Sequence, residues 1–228
     1  MSYRVTEIFA TLQGEGLHAG TPAIFVRFAG CNLWTGHQIH RGRDAQRNQA
    51  ACPLWCDTDF RQGEPCDSDM LIEIIKSKME EHGHLDFPVI VFTGGEPMLQ
   101  LDAVLLCKAH EAFDGVALAV ETNGTVEPKL GVFDELDHIC VSPKTADQTI
   151  KVREGTELKI VYPSMDPMKF DDLAQGFMWW WVSPCAQPGE EPGESFLDDT
   201  ATAAAIKFCI QNPGWRLSLQ THKILGLP

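Results

Sequence analysis

Three cysteines share one polar loop. Cys31 follows a strand-like run, Ala23-Ile-Phe-Val-Arg-Phe-Ala-Gly30, and twenty residues separate it from Cys52, then three separate Cys52 from Cys56. Such a set can be a broken disulfide framework, an incomplete zinc site or a three-legged seat for an iron–sulfur cluster. A [4Fe–4S] cluster usually takes four thiolates. With only three, one iron keeps an open position, much as a catalytic zinc does. Chemistry would happen at that open corner.

Other reactive groups stand at the ends of apolar runs: Thr93-Gly-Gly-Glu-Pro97, Glu121-Thr-Asn-Gly124 and Ser142-Pro-Lys144. Gly94 and Gly95 would let backbone approach a ligand closely, or simply form a turn. Arg27 interrupts an apolar strand, so its guanidinium should be paired or hold an anion such as a carboxylate. Glu15 or another protein acid is the competing partner. Leu12-Gln-Gly-Glu-Gly16 reads as a loop that is structural or functional with equal weight. The segment Ser218–Pro228 ends immediately after a strand-like run, and its carboxylate is expected to be tucked inside. Neither a Gly-x-Gly-x-x-Gly nor a Gly-x-x-x-x-Gly-Lys-Ser/Thr pattern occurs, so nicotinamide and P-loop nucleotide readings lack support.

The elements that must position these groups alternate. Strand-like runs cover residues 23–28, 88–92, 116–120, 138–141, 158–162, 177–182 and 215–219, mostly hydrophobic throughout, as for strands buried on both faces. Helical patterns lie between them: one capped by Ser68, carrying Met70 to Met79 and stopped by Gly83; one over 101–109; one over 201–210. Between Glu121 and Ile139 the helical signal is poor. The alternation predicts a parallel α/β fold with sites at the C-terminal ends of its strands. At 228 residues a complete eight-fold barrel is not expected, so a single-domain partial (βα) barrel with some helices replaced by loops fits best. A doubly wound sheet is the alternative. The cluster loop occupies 31–60 and a C-terminal capping segment about 215–228 within one domain, 1–228.

Composition narrows the function. Eighteen basic residues against 32 acidic ones give a net charge of −14, which argues against nucleic acid as a partner. The longest apolar run, Phe177–Val182, is far too short for a bilayer, and Met1–Glu7 has no signal-peptide h-region. A cytoplasmic protein with reduced cysteines is expected. Cys107, Cys140 and Cys209 read as buried core residues, and Cys66 and Cys185 lie in loops without an assigned role; Cys66 is a weak substitute for a cluster ligand. The Trp179-Trp-Trp181 run reads as core.

Taken together the motifs resemble the radical S-adenosylmethionine (AdoMet) superfamily, and within it the 7-carboxy-7-deazaguanine synthases. The resemblance rests on Glu7-Ile-Phe-Ala-Thr-Leu-Gln-Gly-Glu-Gly16, Phe28-Ala-Gly-Cys-Asn-Leu-Trp34, Cys56-Asp-Thr-Asp-Phe60, Thr93–Pro97, Glu121–Gly124, Ser142–Lys144, Gln187-Pro188 and Leu219-Gln-Thr-His-Lys223. The cysteine spacing departs from the superfamily's usual gaps of three and two. The widened first gap is similar to known variation in the family; the extra residue before Cys56 is unusual.

The resemblance implies a lyase of queuosine and 7-deazapurine biosynthesis. It would contract the ring of 6-carboxy-5,6,7,8-tetrahydropterin to 7-carboxy-7-deazaguanine with loss of ammonia, through a 5′-deoxyadenosyl radical that takes and returns the C6 hydrogen. It implies cluster ligation by Cys31, Cys52 and Cys56, and magnesium at Thr58. It implies AdoMet contacts at Asp57, Gly94, Gly95, Glu96, Ser142, Lys144 and Gln187. The implied substrate shell is Gln13, Gly14, Glu15, Arg27, Thr93, Glu121, His222 and the carboxylate of Pro228, with Arg27 on the 6-carboxylate. No further catalytic side chain is implied beyond cluster and AdoMet. An electron donor such as a flavodoxin and a homodimer are also implied. Two rival readings are a radical AdoMet activase of a glycyl-radical enzyme and a zinc-stabilised binding module using His37 or His40.

Overall fold

The computed structural model describes residues 2–51, 58–83, 87–188, 195–196 and 198–227. Its main sheet has nine strands: β1 (Tyr3–Leu12), β2 (Pro22–Phe28), β3 (Glu64–Cys66), β4 (Val89–Gly94), β5 (Ala117–Thr122), β6 (His138–Val141), β7 (Gly155–Tyr162), β8 (Phe177–Pro184) and β11 (Arg216–Leu217). A separate two-stranded ribbon joins β9 (Gln187–Pro188) to β10 (Ser195–Phe196). The helices are α1 (Arg41–Asn48), α2 (Ser68–Glu80), α3 (Ala103–Ala112), α4 (Asp171–Ala174), α5 (Asp199–Gln211) and α6 (Thr221–Leu225).

The strand order is β11-β8-β7-β6-β5-β4-β2-β1-β3. β2, β4, β5, β6, β7, β8 and β11 are parallel and neighbour one another in that order, while β1 pairs antiparallel with β2 on one side and with the edge strand β3 on the other. A doubly wound sheet reverses its order at a switch point. This sheet does not, so that alternative is set aside.

All seven strand-like runs are strands. Seven elements have no counterpart in the sequence pattern: β1, β3 and α1 near the N-terminus, and the short α4, β9, β10 and α6. β1 alternates only over Tyr3, Arg4 and Val5 and is exposed or half-buried from Thr6 onward, a weaker signal than the continuous runs of the parallel strands. The helix caps also differ by one residue. Asp67, not Ser68, caps α2 by accepting from Met70 N at 2.9 Å, and Asp102 and Asp198 cap α3 and α5 in the same way. A carboxylate satisfies the orphan N–H groups and also complements the helix dipole. Where the helical signal fails, between β5 and β6, only a 3₁₀ turn, Phe133–Glu135, is present.

Register separates the sheet into two faces. Ile24, Phe28, Ile90, Phe92, Leu118, Val120, Val141, Leu158, Ile160 and Val182 point to the helix side and form one continuous core with α2, α3 and α5. The opposite face is floored by Ala23, Val89, Val91 and Ala119, with Phe25 and Ala117 beside them. Small residues there leave room above them. That room is where the strand ends place their polar groups.

Candidate active site

Two strands meet at Cys31. Gly95 N donates to Phe28 O at 3.2 Å and Glu96 N to Gly30 O at 2.9 Å. The glycines are needed for this approach: a Cβ on Gly94 (φ +136°) would stand 2.2 Å from Phe28 O, and one on Gly95 would stand 2.1 Å from Gly30 O and 2.9 Å from the Cys31 Cβ. The Gly-Gly turn is thus packed against the cysteine itself. Glu96 is fully buried, and its carboxylate accepts from Thr122 Oγ1 (2.6 Å), Asn123 N (2.7 Å) and Met98 N (3.0 Å). Burial pushes its pKa up despite these bonds and Lys144. Its side chain ties the end of β4 to the end of β5.

The Thr35–Ala51 insert is an ordered support for Cys31. Leu33, Trp34, Ala45 and Phe60 form a small core against which Cys31 and Ala50 pack. Asp44 accepts from Thr35 N (2.9 Å) and Thr35 Oγ1 (2.7 Å). Those bonds and Arg43 outweigh burial and hold its carboxyl at about 2. The Arg41 guanidinium lies 3.4 Å from the Trp34 ring centroid, Asn48 Nδ2 donates to Leu33 O at 2.6 Å, and Ala51 N donates to Lys144 O at 2.7 Å. Cys31 opens on a hollow of about 530 Å³ that also takes in Trp34, His37, His40, Phe60 and Arg61. Burial raises the Cys31 thiol pKa, offset in part by the Leu33 and Trp34 N–H groups. Among the described residues no three His, Cys, Asp or Glu side chains are grouped to hold a metal ion. Cys52, Cys56 and Asp57 lie outside the described residues.

Further along the strand ends a second group assembles. Gln13 Nε2 donates to Glu121 Oε1 at 3.1 Å, and Gln13 Oε1 accepts from Glu15 N at 3.2 Å. Thr221 N and Oγ1 both donate to Gly14 O, at 3.0 and 2.9 Å, which brings α6 over the β1–β2 loop. A Cβ on Gly14 would meet His222 Nδ1 at 2.0 Å, so the imidazole rests on that glycine. Gln13, Gly14, Glu15, Glu121 and His222, distant in sequence, therefore form one group. Pro228 lies outside the described residues.

Arg27 and Thr93 are register partners on β2 and β4, one strand from Glu121 on β5. The acid that pairs with Arg27 is Glu7, at 2.6 Å, not Glu15; the antiparallel register of β1 on β2 puts Glu7 directly opposite. Arg27 also donates to Thr58 Oγ1 at 3.5 Å. Lys144 Nζ donates to Ser142 Oγ at 2.6 Å, and Gln187 Nε2 to Asp198 Oδ2 at 2.6 Å, which holds the ribbon to the cap of α5.

Some residues of this region had no role in the sequence reading. Lys159 is bonded to Glu15 and stands 3.9 Å from Glu121 Oε1, with only 8% of its side chain exposed. Glu157, also buried, lies 3.6 Å from His138 Nε2 and accepts from Leu17 N. His138 packs edge-on to His18 at 4.6 Å. A usable signal existed: Lys159 interrupts an apolar strand just as Arg27 does. Of the cysteines expected in the core, Cys140 is buried, Cys209 is half-buried and Cys107 is exposed. Cys66 belongs to the helix-side core rather than to the small core of the cluster loop.

A singly wound parallel sheet with a glycine-packed cysteine and a polar cluster at its C-terminal edge defines an α/β enzyme scaffold. The crystal structure of QueE from Escherichia coli shares this fold, with a TM-score of 0.66 over 96% of this chain and 94% of that one at 23% identity. No family model matches the chain. Curated relatives named 7-carboxy-7-deazaguanine synthase are 43% identical in Bordetella pertussis, 43% in Burkholderia multivorans and 41% in Nitratidesulfovibrio vulgaris, each over the full length of both chains. The chain belongs to the 7-carboxy-7-deazaguanine synthase family. The glycyl-radical activase and zinc-module readings give way to that assignment.

Proposed function

We propose that this enzyme contracts 6-carboxy-5,6,7,8-tetrahydropterin to 7-carboxy-7-deazaguanine with release of ammonia. The observation that carries the reading is the group Gln13–Gly14–Glu15–Glu121–His222, closed over by α6, one strand from the Arg27–Thr93 pair. Adjacent strands are about 4.8 Å apart. Carboxylate acceptors over β5 and a guanidinium over β2 therefore span roughly 10 Å, the length of a bicyclic pterin with its carboxylate. Arg27 would hold the 6-carboxylate in its planar fork. The carboxylates would accept from the N–H groups at the other end.

Cys31 fits a cluster ligand: it lines the hollow, and the Gly94–Gly95 turn lies against it where the amino end of AdoMet would be held. Cys52 and Cys56 would supply the other two thiolates, with Glu96 beside the Gly94–Gly95 turn at the amino end of AdoMet, Asp57, Ser142, Lys144 and Gln187 along the rest of it, and Thr58 at magnesium. Bound cluster and AdoMet would supply the 5′-deoxyadenosyl radical that takes the substrate hydrogen. The chain's own residues bind and orient: Arg27 fixes one end of the pterin, Glu15 and Glu121 the other, and α6 with His222 keeps water out above Gly14. Orientation and water exclusion are the main protein contributions to radical chemistry.

The reading includes one domain in a partial barrel, since the crossover helices pack on a single face. It also includes a reducing cytoplasmic setting, which rests on the sequence, and an electron donor of the flavodoxin kind and a homodimer, which rest on the family resemblance. Among the described residues, no helix is long and apolar enough to cross a membrane. The test is anaerobic reconstitution followed by incubation with AdoMet, reductant and the carboxytetrahydropterin. Formation of 7-carboxy-7-deazaguanine supports the reading; reductive cleavage of AdoMet without product refutes it.

A further inference from the structure

We infer that Lys159 is a positioning residue for the substrate site: buried between Glu15 and Glu121, its ammonium keeps both carboxylates ionised and ready to accept from the N–H groups of the pterin. This rests on the reading just given.

The cavity at this end of the site is small, about 10 Å³, and Glu15, Glu121 and Lys159 all line it. Two carboxylates that share a partly buried site repel one another, and a cation lying between them offsets that repulsion. A tetrahydropterin presents N–H donors at its amino group, its pyrimidinone nitrogen and both nitrogens of the reduced ring. A carboxyl that has taken up a proton would face those donors with a donor of its own.

Lys159 is well placed to prevent this. Burial works against its charge, but Glu15 and Glu121 outweigh burial and hold its pKa well above the ordinary lysine value. Gln13, which donates to Glu121, is neutral and cannot replace it. Among the described residues, the other groups named around Lys159 do not supply the charge. On β6, burial pushes the Cys140 thiol well up, so it stays neutral. His138, also on β6, is turned to Glu157. On β7, burial opposes the Glu157 charge, but the His138 hydrogen bond leads the groups that hold that carboxyl below the ordinary range. In the β1–β2 loop, burial lowers the His18 pKa, so it is uncharged at neutral pH. Trp181, the register partner of Lys159 on β8, closes the other side without charge.

The test has two readouts. Protein labelled with ¹³C at the glutamate carboxyls is titrated by NMR as wild type, Lys159→Gln and Lys159→Arg, without substrate. Lys159→Gln keeps a hydrogen-bond donor for Glu15 and favours folding. It should show one carboxyl titrating at least about one unit higher than any assigned to Glu15 or Glu121 in wild type. That signal should vanish in Lys159→Gln/Glu15→Gln, and Lys159→Arg should match wild type. In reconstituted enzyme, Lys159→Gln should raise the KM for the pterin about tenfold at pH 6.5, less at pH 8.5, with kcat within about twofold. Unchanged glutamate titration, or a loss of kcat/KM equal at every pH, overturns the inference and leaves Lys159 a structural ion-pair partner. A wild-type enzyme that makes no deazaguanine refutes the proposed function instead, and the titration alone then decides the role of Lys159.

Discussion

Gly95→Ala is the sharpest perturbation the site offers. Its new methyl would stand 2.1 Å from Gly30 O, where ordinary contact begins at 3.4 Å, and the obstacle is backbone rather than a flexible side chain. The overlap of about 1.3 Å must be relieved by separating the Gly-Gly turn from Gly30–Cys31, because packed interiors yield little. The Glu96 N to Gly30 O bond would break with it. Overpacking and an unsatisfied buried N–H together cost about 2–4 kcal/mol. At about 2–4 °C per kcal/mol for a chain this size, the melting temperature should fall by roughly 5–15 °C. A shift of about 1 Å at a reacting centre costs on the order of 100-fold in rate. The assay is iron and sulfide content after anaerobic reconstitution, with 5′-deoxyadenosine release in the presence of AdoMet and dithionite. Gly42→Ala is the control: nothing lies within 4 Å of its Cβ position, it is on α1, and it should gain about 0.5–1 kcal/mol with cleavage unchanged. A Gly95→Ala enzyme with full iron and 5′-deoxyadenosine release within about twofold of wild type would refute this account of the turn.

Arg27→Ala should raise the pterin KM about 10- to 100-fold, the loss of a charged hydrogen bond, while reductive AdoMet cleavage without substrate stays intact; equal loss of both places Arg27 elsewhere. In Glu96→Gln the new amide must turn N–H toward Asn123 N or toward Met98 N and Thr122, so thermal melts should drop by about 3–10 °C, and an unchanged melt argues against the strut. Asp44→Asn loosens the insert with a defined pH signature. The Asp44 pKa is depressed in the folded state, so its contribution is fully present above 3.8 and lost as pH falls toward about 2. Denaturant melts should therefore separate wild type from Asp44→Asn at pH 6, and the gap should narrow below pH 3.8; a gap that persists undiminished contradicts the assignment.

Much of this enzyme could be read from residue order alone. The continuous apolar runs revealed the parallel strands because both faces of each are covered, and a charge inside such a run marked Arg27 as either paired or anion-binding. The polar residues closing each run marked the sheet edge where Glu96, Glu121 and Lys144 stand and where the candidate site is placed. What required the tertiary structure was partnership. Glu7 meets Arg27 only through the antiparallel register of β1, whose half-exposed pattern is weak in sequence. Lys159 meets Glu15 and Glu121 across a loop and two strands, and no local spacing encodes that. The same holds for Gly95, whose missing side chain makes room for Gly30 and Cys31. Periodicity reports how a residue is buried; only register and loop closure decide what it is buried against.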